Sequence, residues 1–314
     1  MLHPDTLSAW TDQKGREHAG KVCGSKGDFK VIECACCEFK HVIPLPTAEE
    51  LETVYAHEYY TQEKPLYIDR YMEDKAWWEA VYAERFEVLE TLINRRQGAI
   101  LDVGSGPGLF LNLGRSRGWK VTGIEPSLRA AEYSRDAFGL DVHNTFLDRN
   151  TAARMGKFDA VNIGEVLEHL TSPVEMLDIA KGLITPGGVL SVVVPNDFNP
   201  LQTVLHERLG YEPWWVAPPH HLNYFSHESL KGLVERAGFE VIRVESTFPI
   251  DIFLLMGQNY IENDTLGRQV HSLRKTFDQN LINKGAMTLR RKLYGSFAEL
   301  GLGREVVLYA RKPV

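Results

Sequence analysis

The chain has 314 residues, 44% of them apolar, which is enough to fill the core of one large α/β domain and a smaller appendage. Its 35 Lys and Arg against 42 Asp and Glu leave a formal net charge of -7. That balance lacks the basic excess that phosphate-backbone binding uses, so a small molecule is the expected partner and nucleic acid is not. The start MLHPDTLSAWTDQKGREH has no apolar core behind a basic segment, and the apolar run FPIDIFLLM is short and carries Asp251. We therefore expect a cytoplasmic protein without a membrane anchor.

All four cysteines, Cys23, Cys34, Cys36 and Cys37, fall within fifteen positions near the start. Such clustering suits a local metal site better than a disulfide framework. Cys34 and Cys37 form a CxxC knuckle, and Cys23 follows His18 by five positions, so His18, Cys23, Cys34 and Cys37 are the expected ligands of a structural zinc. His41 is a rival fourth ligand, Cys36 is unassigned, and a small β-module with reduced cysteines is the alternative. Residues 1–62 are read as this module.

Residues 63–96 are read as a helical link, because aromatic and aliphatic residues recur at helical spacing through YIDRYMEDKAWWEAVYAERFEVLETLINR. From residue 97 to 314, apolar runs rich in β-branched residues alternate with helical segments, the pattern of a parallel sheet covered on both faces. The seven runs are GAILDVGSG, KVTGIEPS, LDVHNTF, KFDAVNIG, GGVLSVVVPN, FEVIRVES and EVVLYARK. Ser127, Ser172 and Ser226 are expected helix N-caps, and Gly139 and Gly238 expected helix stops. Residues 247–300, between the sixth and seventh strands, are longer than that connection needs and contain helical pieces, so we expect a lid or recognition cap there.

Gly104, Gly106 and Gly108 occupy the turn between the first of these strands and its helix, where glycine permits positive φ and close approach of a ligand. Asp102 precedes the turn with Ser105 inside it. Glu125, followed by Pro126, ends the next strand, where a carboxylate can accept both hydroxyls of an adenosine ribose. A nicotinamide enzyme shares those features, but the pattern here is GxGxG without the later glycine of GxGxxG. In EVLEHL, Glu165, Glu168 and His169 stand at i, i+3 and i+4, one face of a helix expected at the carboxyl end of the fourth strand. PPHHLNYFSHESL brings His220, His221 and His227 toward the same edge, with His227 expected in solvent. His169 and His221 are the candidate general bases.

These segments, with LDVGSGPGLF, GIEPS, FDAVNIGEVLEHL and GVLSVVVPN in order over residues 97–245, resemble the class I S-adenosylmethionine-dependent methyltransferases. The resemblance implies a seven-stranded Rossmann-like sheet. It places the methionine part of S-adenosylmethionine at Gly104 to Gly106, the ribose at Glu125, the adenine at Phe146 or Leu147, and the methyl group beside Asn162, Ile163 and Gly164. Phe146 has a rival reading as a core aromatic. The ExxEH segment with a downstream histidine resembles the metal-binding pattern of small-RNA 2′-O-methyltransferases and of ubiquinone-pathway O-methyltransferases, implying a divalent ion on Glu165, Glu168, His169 and His221.

The segment CACCEFKHVIPLPTAEELETVYAHEYY resembles the region before the catalytic domain in methyltransferases of sugar and cell-surface polysaccharide pathways. That resemblance implies a glycan or nucleotide-sugar acceptor, methylated on a hydroxyl. Tyr59, Tyr60, Trp214 and Trp215 are candidates for stacking on a sugar face, whereas Trp77 and Trp78, on a helix, are expected in the core. C-methylation of a keto-sugar, O-methylation of a quinone or phenol, RNA modification and a non-catalytic binding role are the alternatives.

Overall fold

The structure is a computed structural model that describes residues 6–47, 50, 66–95 and 97–314. Tyr59 and Tyr60 lie outside the described residues. The N-terminal segment forms an antiparallel meander of β1 (Leu7–Thr11), β2 (Glu17–Lys26), β3 (Phe29–Cys34) and β4 (Phe39–Ile43). Its alternating pattern buries Val22, Ile32 and Cys34 in a small core of their own.

Two helices follow, α1 (Tyr67–Glu73) and α2 (Lys75–Leu92), where the periodicity predicts a single stretch. The large sheet is built from β5 (Ala99–Val103), β6 (Lys120–Ile124), β7 (Val142–His143), β8 (Phe158–Gly164) and β9 (Ile184–Pro195). After the short β10 (Asn223–Tyr224), which joins the other sheet, β11 (Glu240–Ser246) and β12 (Glu305–Arg311) complete it. The order is β11-β12-β9-β8-β5-β6-β7, with β12 antiparallel to both neighbours and β5 to β9 parallel. This is a seven-stranded Rossmann-like sheet, as the resemblance implies. The carboxyl edge of its parallel strands opens between β5 and β8, where ligands bind in such sheets.

Alternation along the central strands divides the core. Ile100 and Ala160 face α2, while Leu101, Val103, Val161 and Ile163 face the opposite layer. Asp102 and Asn162 therefore stand on the α2 side of the sheet. The remaining helices are α3 (Leu109–Ser116), α4 (Leu128–Phe138), α5 (Arg149–Ala153), α6 (Pro173–Leu183), α7 (Pro200–Leu209) and α8 (His227–Arg236). Ser226 caps α8 in a reciprocal capping box with Ser229. Ser127 and Ser172 occupy N-cap positions with no side-chain cap bond, while Gly139 takes the left-handed C-cap of α4.

The long insertion supplies α9 (Ile252–Leu255), α10 (Asp264–Asn283) and α11 (Met287–Glu299). The two longer helices brace α2: Trp77 Nε1 donates to Asp278 at 3.1 Å, and Arg291 Nε to Glu84 at 3.1 Å. Arg290 joins Glu84 to Asp278 between them. Among the described residues of this stretch, Ile250, Asp251 and Tyr260 reach the cavity described below.

The small sheet is not self-contained. β10, from the far side of β9, pairs antiparallel with β4, setting Asn223 opposite His41 and Tyr224 opposite Lys40. Val31 and Val42 pack with Trp215, Val216, Leu222 and Tyr224 in one apolar cluster. Arg236 on α8 adds bonds to the Glu38 carboxylate and the Cys37 carbonyl, at 2.6 and 2.9 Å.

Candidate active site

A cavity of about 1170 Å³ opens at the carboxyl edge of the large sheet. That volume exceeds the range typical of a single small-molecule pocket, leaving room for two ligands side by side. Its two ends differ in chemistry.

One end is the turn after β5. Gly104 has φ +72°, and a Cβ there would lie 2.6 Å from Val166 Cγ2, so a side chain would both strain the backbone and fill the cradle. Glu125 is buried, with Oε2 accepting from the Gly106 N–H and Oε1 from the Ser127 N–H, both at 2.8 Å. Burial pushes its carboxyl up to about 7 despite these bonds. Asp102, held at 2.7 Å by the Asn162 amide, is also raised to about 7, by burial first and by the nearby Glu125. Ser105 Oγ is buried without a partner among the described residues. Pro126 and Phe146 also line this end, and Phe146 is 39% exposed, so it is not a core aromatic.

Two residues expected here lie elsewhere. Ile163 is fully buried on the opposite face of the sheet, because alternation turns it away from Asn162. Gly108, with φ +86°, begins α3 and permits close packing on Ser134 and Leu140 rather than lining the cavity. Asn162, Gly164 and Asp102 do line it.

The other end is assembled around Glu168, His169 and His221. No helix forms at EVLEHL. Glu165 takes a left-handed φ of 54°, and only a single 3₁₀ turn, Leu167–His169, follows before the chain becomes extended. Glu165 therefore lines the cavity apart from the cluster, in which ligand atoms of Glu168, His169 and His221 lie within 4.8 Å of one another.

His169 Nδ1 donates to the His220 carbonyl at 2.7 Å, which leaves Nε2 as the basic nitrogen, 3.7 Å from Glu168 Oε1. His221 stands edge-on to His169, with its Nδ1 3.8 Å from Asp197 Oδ2. Glu168 is buried, and its Oε2 has no partner among the described residues. Burial, with Glu165, Asp197 and Glu305 nearby, holds its carboxyl well above the usual range. Trp214, Trp215, Trp78, Tyr71 and Tyr82 supply aromatic walls along the cavity; Trp77 is in the core as expected, whereas Trp78, expected there too, is half-buried and lines the cavity.

Sequence reasoning missed Arg304 and Glu305 at this end. β12 runs antiparallel to β9, so its first residues reach the edge where the parallel strands end. A charged pair ahead of the apolar EVVLYAR run was the available signal. His227, expected in solvent, is buried with neither ring nitrogen bonded among the described residues, and burial lowers it to about 4.

The Cys/His cluster also differs from expectation. His18, Cys34, Cys37 and His41 come together, whereas the Cys23 thiol points to the Lys21 carbonyl at 3.5 Å. A bulge in the β2–β3 pairing between Val22 and Gly24 lies at Cys23, so spacing alone misjudged its direction.

This fold and cavity define an α/β protein whose glycine turn lines a large cavity at the carboxyl edge of the sheet. A family model described as Methyltransferase domain matches residues 76–244, more than half of the chain, and the chain belongs to that family. S-adenosylmethionine is the cofactor of methyltransferases of this family. The buried Ser105 hydroxyl, the open face over Gly104 and the Glu125 carboxylate fit it.

Among curated relatives, the chain is 34% identical over 122 residues to a ubiquinone biosynthesis O-methyltransferase of Haemophilus ducreyi, covering 36% of this chain and 52% of that one. It is 29% identical over 175 residues to the Caulobacter vibrioides protein of the same name, covering 53% and 68%. The chain thus spans about half the length of the first of these relatives. A solved S-adenosylmethionine-dependent methyltransferase from Archaeoglobus fulgidus is similar at 17% identity and a TM-score of 0.48, covering 77% of this chain and 99% of that one.

Proposed function

We propose that this protein is an S-adenosylmethionine-dependent O-methyltransferase whose acceptor presents a hydroxyl on a phenol- or quinol-type ring. The observation that carries the proposal is a single cavity lined both by Asp102 and Glu125 and by the Glu168–His169–His221 cluster, with aromatic side chains in its walls. The curated relatives named for ubiquinone biosynthesis O-methylation support it over the sugar acceptor expected from the N-terminal resemblance.

Bound S-adenosylmethionine supplies an electrophilic methyl group. Glu125 would accept from the ribose hydroxyls, Ser105 and the Gly104–Gly106 backbone would hold the methionine part, and Phe146 would cover the adenine. His169 Nε2 takes the proton of the acceptor hydroxyl, and the Nδ1–H bond to the His220 carbonyl steadies the resulting imidazolium. His221 stands beside it, with the Asp197 carboxylate 3.8 Å from its Nδ1, beyond hydrogen-bond length. Alternatively, Glu168, His169 and His221 would hold a divalent ion, His169 Nε2 then being a ligand rather than the base. Such an ion would lower the pKa of a hydroxyl bound to it.

In organisation, residues 97–314 form the catalytic unit with its 247–300 insertion, and residues 1–62 and 63–96 the module and link. No helix among the described residues is long and apolar enough to cross a membrane, and we place the enzyme in the cytoplasm acting on a small molecule. A sugar hydroxyl is the second reading, favoured by Trp214 and Trp215 in the cavity wall.

The test is transfer of isotope-labelled methyl from S-adenosylmethionine to a panel of catechols, quinols and nucleotide sugars. Label on a ring hydroxyl is expected. Label only on a nucleotide sugar would replace the ring acceptor with the second reading.

A further inference from the structure

We infer that His18, Cys34, Cys37 and His41 form a Cys2His2 zinc site, and that this site clamps the sheet edge on which the Glu168 turn rests. The inference does not depend on the acceptor. A tetrahedral zinc with Zn–N of about 2.05 Å and Zn–S of about 2.3 Å sets its ligand atoms roughly 3.3 Å apart for N···N and about 3.6 Å for N···S. Here His18 Nδ1 is 3.2 Å from His41 Nε2, 3.7 Å from Cys34 Sγ and 3.4 Å from Cys37 Sγ. All four ligand atoms lie within 4.8 Å of one another.

Proton placement points the same way. His41 Nδ1 donates to the Val42 carbonyl at 2.9 Å, so Nε2 carries a lone pair toward the cluster. His18 Nε2 makes no hydrogen bond among the described residues but lies 3.5 Å from the Asp12 carboxylate, whose charge favours the proton there and a second lone pair on Nδ1. Two lone pairs facing each other at 3.2 Å repel, and the Nδ1 of His18 has three such neighbours at once. One N–H cannot serve them all; a cation at their centre does. A carbonyl on one imidazole and a carboxylate behind the other are the partners that metal-bound histidines ordinarily have.

The site is tied to the cavity by backbone. The Val42 N–H, one residue from the His41 ligand, donates to the Leu222 carbonyl at 2.9 Å, and the Leu222 N–H donates to the Glu168 carbonyl at 2.7 Å. Asn223, paired with His41, donates its side-chain amide to the Leu167 and Leu170 carbonyls at 2.8 and 2.7 Å. Both ends of the 3₁₀ turn that presents Glu168 and His169 are thus held by the strand next to a metal ligand. Asn223 is a positioning residue in this scheme.

The full-length protein, purified without chelator and equilibrated with zinc, should hold one tightly bound zinc per chain by elemental analysis. Cobalt(II) exchanged into it should show the visible absorption of a tetrahedral site with thiolate charge transfer, a readout that needs no variant. His41→Gln should lose the metal and Cys23→Ser should keep it. On metal removal, amide hydrogen exchange should quicken at residues 40–43 and 222–224 while cofactor binding persists. No zinc uptake, or an octahedral cobalt spectrum without thiolate bands, would overturn the site. Zinc kept in His41→Gln and lost from Cys23→Ser would move the fourth ligand to Cys23 and overturn the assignment. Unchanged exchange at 222–224 after metal loss would overturn the clamp.

Discussion

The two ends of the cavity are built in opposite ways. The cofactor end comes chiefly from one continuous strand-turn-helix-strand, residues 101–126, joined by Phe146 and Asn162, and its carboxylates are already bonded: Glu125 to two backbone N–H groups, Asp102 to Asn162. The acceptor end gathers side chains from the 165–171 turn, the 214–221 segment and the start of β12, and leaves Glu168 Oε2 and His221 Nδ1 without hydrogen-bond partners among the described residues. A ligand shared by a whole family can be met by a preformed end whose carboxylates are already held, with only Ser105 Oγ and Asn162 Oδ1 left open to it among the described residues there. Polar groups left unpaired at the other end mark where a variable acceptor supplies the missing contacts.

If that division is right, substitutions at the two ends should separate binding from turnover. The largest effect is expected at His169→Ala, which should lower kcat by about 10²–10⁴, the range for loss of a general base, with cofactor affinity unchanged. Steady-state kinetics beside a cofactor titration checks this, and a matching fall in affinity would erase the distinction. Glu125→Ala should weaken cofactor binding by about 2 kcal/mol, roughly thirty-fold, the worth of hydrogen bonds to a charged group. Calorimetric titration with S-adenosylhomocysteine measures it.

Gly104→Ala acts on the same end through the backbone. Left-handed φ and contact with Val166 should cost about 1–2 kcal/mol of fold stability in denaturant unfolding, along with weaker cofactor binding.

A further expected effect is one of pH. Asp102 and Glu125 are both raised to about 7, from 3.8 and 4.5, so the folded apoprotein binds more protons than the unfolded chain between those values. Its stability should therefore fall as pH rises from about 4 toward 7, while cofactor affinity should rise through about 7 as Glu125 ionises to accept from the ribose. Thermal melts and titrations from pH 5.5 to about 8 follow the two trends. An affinity that declines across that window would assign the ribose to another group.

The same contrast explains what was legible in the sequence. Strand periodicity, three glycines and one acidic residue lie within a short local segment, so the large sheet and the Asp102, Gly104 and Glu125 positions could be read directly. Ile163 and Gly108 were misplaced because a motif names neighbouring residues without saying which face of the strand or turn each takes. The acceptor end depends on pairings between distant segments: β10 with β4, and β12 antiparallel to β9. No local pattern announces that Asn223 buttresses the Glu168 turn, that His41 rather than Cys23 faces Cys37, or that α8 buries His227. At Glu165 the left-handed backbone breaks the helical spacing that EVLEHL suggests, and so separates Glu165 from Glu168 and His169.

The most direct test of the two-ended cavity is a double-mutant cycle on Glu125→Ala and His169→Ala, read as single-turnover methyl transfer at saturating cofactor. Independent ends predict that His169→Ala slows transfer by the same factor whether or not Glu125 is present, within about 0.5 kcal/mol. A coupling energy well above that would contradict the account and make the cavity one interdependent site.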